Sequence, residues 1–143
     1  MTIEEATQAL ESGITLAEEA AASGVTLIGT GDMGIANTTP STALFSAFLS
    51  IPVEDITGRG TGIDDDGIKN KALVIKKALE INHEQLIDPL HTLAAVGGCE
   101  IAGIAGVVAA CQAVGLATAT AKMHDDAAPT ATLNRSQQPA SVG

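Results

Sequence analysis

Apolar residues mark the elements of this chain before any composition is counted. Ile3, Ala6, Leu10, Gly13, Ala17 and Ala20 fall on one helical face, with Glu4, Glu11 and Glu18 turned elsewhere, which predicts a helix over 2–22. Thr2 with Glu5 makes a capping box at its start, and Ser23-Gly24 ends it. Val25, Thr26, Leu27 and Ile28 form a short apolar, β-branched run, the pattern of a buried strand. After a glycine-rich turn, Thr39 reads as an N-cap and Pro40 as the first position of a helix whose apolar face is Ala43, Leu44, Ala47 and Phe48. Ile51-Pro52 breaks the chain, and residues 53–57 read equally as a short extended piece or a turn. A second glycine loop, Gly58 to Gly62, leads to a helix over 65–81, capped by Asp64 or Asp65 and striped by Ile68, Ala72, Ile75 and Leu79. Asp88-Pro89 opens another helix to about Val96, interrupted by Gly97-Gly98.

The segment from Ile101 to Ala121 carries no charge, so a membrane span has to be weighed. Gly98, Ala102, Gly106 and Ala110 give it a small-residue stripe. Ala and Gly contribute little transfer free energy and no cationic or aromatic anchors flank the segment, so a close-packed helix away from the membrane is the expectation. From about residue 112 the chain turns rich in Ala, Thr, Ser, Gln and Pro. Residues 112–143 are accordingly expected to form a disordered, low-complexity tail, because they bury too little apolar surface to offset ordering entropy. The alternation of strand and helix before it predicts an α/β class: part of a doubly wound, Rossmann-like parallel sheet with flanking helices.

Composition narrows the partners. The formal net charge is -10, which argues against nucleic acid and anionic membrane surfaces. Five of the seven Lys and Arg residues nevertheless lie between Arg59 and Lys77, a local positive island. The N-terminus carries Glu4 and Glu5 where a signal peptide would be basic, so the cytoplasm is the expected compartment. Cys99 and Cys111 lack the spacing of a metal or redox motif and read as small buried hydrophobes; no metal and no cofactor are expected.

A strand, a glycine loop and a helix start in that order make an anion site, since the first helical amides are unpaired. Gly29, Gly31 and Gly34 also match GxGxxG, with Glu54 and Asp55 about twenty residues on, as a dinucleotide-binding domain would have them. In that fold the helix begins inside the glycine motif. Here Pro40 delays it past the polar Asn37-Thr38-Thr39 run, which ranks the dinucleotide reading last.

The longer stretch GDMGIANTT, residues 31–39, resembles the GEMGIGNTT signature of nicotinate-nucleotide:dimethylbenzimidazole phosphoribosyltransferases. GRGTGIDDDGIKNK and DPLHTLAAVGGCEIAGIAG resemble that family's later segments, in the same order. The resemblance covers about Thr2 to about Ala110, and residues 1–111 are taken as a fragment of the family's α/β domain. It implies nicotinate mononucleotide and 5,6-dimethylbenzimidazole as partners. Phosphoribose passes to one imidazole nitrogen while a carboxylate takes the proton from the other, giving α-ribazole 5'-phosphate and nicotinate without a metal.

The resemblance assigns a substrate and phosphate site to Gly31, Asp32, Met33, Gly34, Asn37, Thr38, Thr39, Gly58, Arg59, Gly60, Thr61, Gly62 and Lys71. Asp32 stands in place of the family's Glu, one methylene shorter, and is at most an auxiliary carboxylate. The resemblance also implies an N-terminal part that lines the aromatic-base slot and a C-terminal part with the catalytic glutamate. Neither has a counterpart here, which suggests a truncated or frame-shifted product, with a natural extension as the plainer alternative. Three readings stay open: a piece of the transferase acting as a homodimer or with its missing halves as a split enzyme; a non-catalytic product or nucleotide-binding interaction module; and the dinucleotide-binding domain. The two glycine loops are expected side by side, both at carboxyl ends of parallel strands.

Overall fold

Helix α1, Ile3–Ala22, begins with the capping box: the Glu5 amide donates to Thr2 Oγ1 at 3.1 Å and the Thr2 amide to Glu5 Oε2 at 2.7 Å. The computed structural model describes residues 1–124 and 127–134. Strand β1, Leu27–Thr30, follows, then α2, Thr38–Leu49, and a single-turn helix α3, Val53–Ile56, which settles the open reading of 53–57. Next come α4, Asp65–Ile81; a 3-10 turn, His83–Gln85; α5, Pro89–Val96; α6, Cys99–Val114; and strands β2, Ala117–His124, and β3, Ala127–Asn134. The class is α/β, mostly helical, with β2 lying parallel to β1 and antiparallel to β3 in the order β1-β2-β3.

Local chemistry accounts for α4 and α5. Asp64 Oδ1 accepts from the Gly67 amide at 2.8 Å and caps α4. Asp88 Oδ1 accepts from the His91 amide at 2.9 Å, with Pro89 in the first turn of α5. Hydrogen bonds from the His91 backbone and ring hold the Asp88 carboxyl below its ordinary pKa.

Two apolar clusters fill the interior. Ala43 and Leu44 of α2 meet Val53, Ala72, Ile75, Leu93, Val96 and Ala102; Ile75 is only 1% exposed. Ala17 of α1 meets Val107, Ala110 and Cys111 of α6, with Ile28 and Leu116 against them. Apart from Val107, the buried residues of the second cluster are small because α1 and α6 run backbone to backbone. An ideal Cβ at Gly13 would overlap the Gly103 carbonyl oxygen, and one at Gly106 would overlap that of Leu10. The small-residue stripe of α6 is therefore a helix–helix seam, and no helix among the described residues is long and apolar enough to cross a membrane.

Several expectations are corrected. The strand lies at Leu27–Thr30 instead of Val25–Ile28, and it is not a buried one: Leu27 remains 49% exposed. With β2 on one side only, β1 is an edge strand among the described residues. Helix α2 starts at Thr38 with Asn37 as N-cap, not at Pro40 after Thr39. Proline in the first turn removes only an amide that had no intrahelical partner, so the helix can begin ahead of it. Helix α6 stops at Val114, where Gly115 adopts φ +74° and the Leu116 amide donates to the Cys111 carbonyl at 2.8 Å. Residues 112–114 thus complete a helix, and 117–120 pair with β1 in the register Leu27 to Ala117 through Thr30 to Thr120. Ala–Thr alternation supplies a pleated strand once β1 offers an unpaired edge. Within the expected tail, α6 extends to Val114 and strands are described over 117–124 and 127–134; residues 125–126 and 135–143 lie outside the described residues. Cys111 is buried as expected, and burial pushes its thiol pKa up; Cys99, in the first turn of α6, is exposed.

Candidate functional site

The two glycine loops do lie side by side, and Lys71 joins them. From α4 its ammonium donates to Thr38 Oγ1 at 2.8 Å and to the Gly58 carbonyl at 3.2 Å. Gly60 takes φ +60° next to them, and a Cβ there would stand 3.0 Å from Thr38 Oγ1 and 3.7 Å from Lys71 Nζ, so both backbone and space require glycine. The first loop leaves the carboxyl end of β1, as an α/β site would have it. The second follows α3 instead of a strand, which corrects that half of the expectation.

The start of α2 is open. Asn37 sits in helical conformation and its side chain makes no capping hydrogen bond, so it does not act as a simple cap. Among the described residues its Oδ1 is buried without a partner, as is the hydroxyl of Thr30 at the end of β1. The Thr38 and Thr39 amides belong to the set of first-turn donors that an α-helix leaves without an intrahelical acceptor. Lys71 has no carboxylate within ion-pair distance among the described residues, whereas Lys69 pairs with Asp66 at 3.0 Å and Lys76 pairs with Glu54. Burial holds the Lys71 ammonium below the ordinary lysine pKa.

A cleft of about 420 Å³ gathers these groups, lined by Thr38, Gly58, Gly60 and Lys71 and walled by Thr42, Phe45 and Ile56. Ser41 lines it too. Four of these residues, Thr38, Ser41, Thr42 and Phe45, come from one face of α2 at helical spacing. The sequence reading did not single out Ser41, Thr42, Phe45 or Ile56. The spacing from Thr38 was the available signal for the first three.

The other expected site residues are elsewhere. Gly31 and Asp32 line a separate groove of about 560 Å³ between α1 and α6, which also holds Glu100 and exposed Cys99. Thr39 lines a smaller cavity on the α4–α5 side of α2. Met33 is 75% exposed, and Gly34 packs near Thr38 and Asn37. Arg59 turns back on its own loop, donating to the Ile63 carbonyl at 2.9 Å and pairing with Asp65, while Gly62 donates to the Arg59 carbonyl at 3.2 Å; Thr61 lies exposed in this turn. The guanidinium therefore braces the loop that shapes the cleft.

Ala36 has φ +64°, a left-handed conformation, at the place where the GEMGIGNTT signature has glycine. Left-handed backbone costs a residue with a Cβ about 1–2 kcal/mol, part of which glycine's greater unfolded-state freedom offsets. Ala36→Gly is expected to stabilise the chain by about 1 kcal/mol, read as a higher denaturant midpoint at unchanged slope. An unchanged or lower midpoint would mean that the loop carries no such strain.

The strand-to-helix loop, the uncapped α2 and the unpaired lysine describe an α/β protein with the parts of an anion cradle. Residues 1–119 match the family model described as Phosphoribosyltransferase, and the chain belongs to that family. The match continues past the motifs quoted above into β2. Among the relatives it is similar to, the nicotinate-nucleotide–dimethylbenzimidazole phosphoribosyltransferases of Prosthecochloris aestuarii and Chlorobaculum tepidum are 53% and 54% identical over 116 residues, 81% of this chain and 33% of each relative. The crystal structure of CobT from Thermus thermophilus superposes with a TM-score of 0.77 at 42% identity, over 84% of this chain and 36% of that one. The chain therefore spans about a third of the length of the curated relatives it matches.

Proposed function

We propose that this chain is the phosphate-holding part of a nicotinate-nucleotide:dimethylbenzimidazole phosphoribosyltransferase. The relatives' printed names supply the reaction. The observation that carries the assignment to this chain is Lys71, desolvated and without a carboxylate, beside the open N-terminus of α2. A phosphate dianion would take the Thr38 and Thr39 amides at the positive end of the helix and receive Lys71 as a point charge. Gly58 and Gly60 give it room, and Phe45 and Ile56 provide an apolar wall for the nucleotide beyond the phosphate. Asp32 remains an auxiliary carboxylate in the neighbouring α1–α6 groove. The base that takes the imidazole proton and the rest of the aromatic-base slot belong, in this reading, to further polypeptide of the same family fold, supplied as the other part of a split enzyme or across a homodimer. The reaction is assigned to the cytoplasm.

Lys71→Ala is expected to weaken nicotinate mononucleotide binding by about 1.5–3 kcal/mol, the range for a hydrogen bond to a charged group. Titration calorimetry on the folded variant measures it. An unchanged dissociation constant would remove Lys71, and with it the cleft, from the site.

A further inference from the structure

We propose that Lys71 is a carbonyl-reactive amine, and that its cleft captures aldehydes bearing a phosphate monoester as a covalent imine. The proposal rests on the phosphate reading of the same cleft. Its own support is the set of atoms around Nζ. Both observed partners are neutral oxygens, Thr38 Oγ1 and the Gly58 carbonyl, and no carboxylate of the described residues is in reach. Such a site stabilises the ammonium less than an ion pair does, and the positive end of α2 beside it acts in the same direction. Burial lowers the pKa further, which enlarges the neutral fraction that has a lone pair to give. Lys69 and Lys76 are instead held in exposed ion pairs. The cleft of about 420 Å³ has space for a short phosphorylated skeleton next to the amine.

The chemistry closes without a further reagent. The ammonium first loses a proton to solvent. The Nζ lone pair attacks the aldehyde carbon, a C–N bond forms and the carbonyl π pair moves to oxygen. Proton transfer from nitrogen to that oxygen gives a carbinolamine. The C–O bond then breaks, water leaves with the proton that solvent returns, and the nitrogen lone pair completes a protonated C=N. In sum, lysine ammonium and aldehyde give iminium and water, with charge conserved. The phosphate, held at α2, converts the encounter into a near-intramolecular one. The open-chain form of a pentose 5-phosphate, left when a phosphoribosyl group is lost to water, belongs to this class of aldehyde and would block the site.

The test uses the full chain and pyridoxal 5'-phosphate, followed by borohydride reduction and peptide mapping by mass spectrometry. Lys71, seated in the cleft and free of the carboxylate pairing that holds Lys69 and Lys76, is expected to be labelled measurably faster than Lys69, Lys76 or Lys77. Inorganic phosphate should protect it, pyridoxal without phosphate should label it much more slowly, and Lys71→Arg, with an unchanged circular dichroism spectrum, should abolish the adduct at that position. Label spread evenly over the lysines overturns the proposal. Equal labelling by pyridoxal, unprotected by phosphate, overturns it together with the phosphate reading. An unlabelled Lys71 in a chain that still binds nicotinate mononucleotide overturns the proposal and leaves the phosphate reading standing.

Discussion

Gly106→Val is expected to abolish cooperative folding of the helical body. The α1–α6 seam has no room for a side chain at Gly106: a Cβ there would overlap the Leu10 carbonyl oxygen and stand 2.9 Å from its carbon and 3.2 Å from the Ile14 amide nitrogen. These are backbone atoms of another helix, which cannot rotate aside as a side chain would. Relief requires α1 to move as a unit, and that opens the cluster of Ala17, Val107, Ala110 and Cys111. Even Gly106→Ala and Gly13→Ala should lose about 2 kcal/mol or more. The gain of about 1 kcal/mol in helix propensity does not offset an overpacking cost of about 1–3 kcal/mol compounded by backbone displacement. Gly103→Ala is the contrast. Its Cβ would lie 3.7 Å from the Ala9 carbonyl oxygen, an ordinary contact, so propensity should leave it neutral or slightly stabilising. Thermal melts followed by circular dichroism separate the three positions. Equal effects at Gly103 and Gly106 would refute the close seam.

A polypeptide of these 143 residues, assayed with nicotinate mononucleotide and dimethylbenzimidazole, is expected to form no α-ribazole phosphate above a no-enzyme control. A general base has to stand within about 3 Å of the imidazole proton, or reach it through one water. Among the described residues no carboxylate lines the Lys71 cleft, and Asp32 opens into the separate α1–α6 groove. Orientation is the other missing contribution. Holding both reactants in place is worth about 7–11 kcal/mol of the barrier in favourable cases, and the phosphate cradle proposed for this chain would fix only one of them. Exposure of the surroundings agrees with an incomplete enclosure: Phe45, Phe48 and Leu49 on α2 are 58%, 52% and 56% exposed, beside the cleft that Phe45 walls. Turnover clearly above the control and lost in Asp32→Asn would show that the chain carries its own base. Turnover that appears only when complementing family segments are added would support the split-enzyme reading.

Wherever a signal and its partner lie within one turn of chain, the sequence by itself determined the structure. Thr2 with Glu5, Asp64 with Gly67, and Asp88 with His91 are three residues apart in each case, and they set the starts of α1, α4 and α5. Helical periodicity identified Ala6, Gly13 and Ala17 as one face of α1 and Ala72 and Ile75 as that of α4, all buried in the structure. The ordered motifs were sufficient to identify the phosphoribosyltransferase family. Only the tertiary structure decided the rest. The start of α2 at Thr38 cannot be read locally, because Pro40 is compatible with several first-turn positions. The hydroxyl of Thr38 meets an ammonium 33 residues away, and that meeting, not the glycine spacing, defines the cleft. The family motif marked Arg59 as a phosphate ligand, but Asp65 and the Ile63 carbonyl claim it. Ala117 to Thr120 lacks the apolar run that marks a strand and is one nonetheless because Leu27 to Thr30 offers an edge to pair with. Local hydrogen bonds and periodicity are encoded within a few residues, whereas a strand partner, a counter-ion or the closeness of two glycine backbones depends on how the chain is brought together.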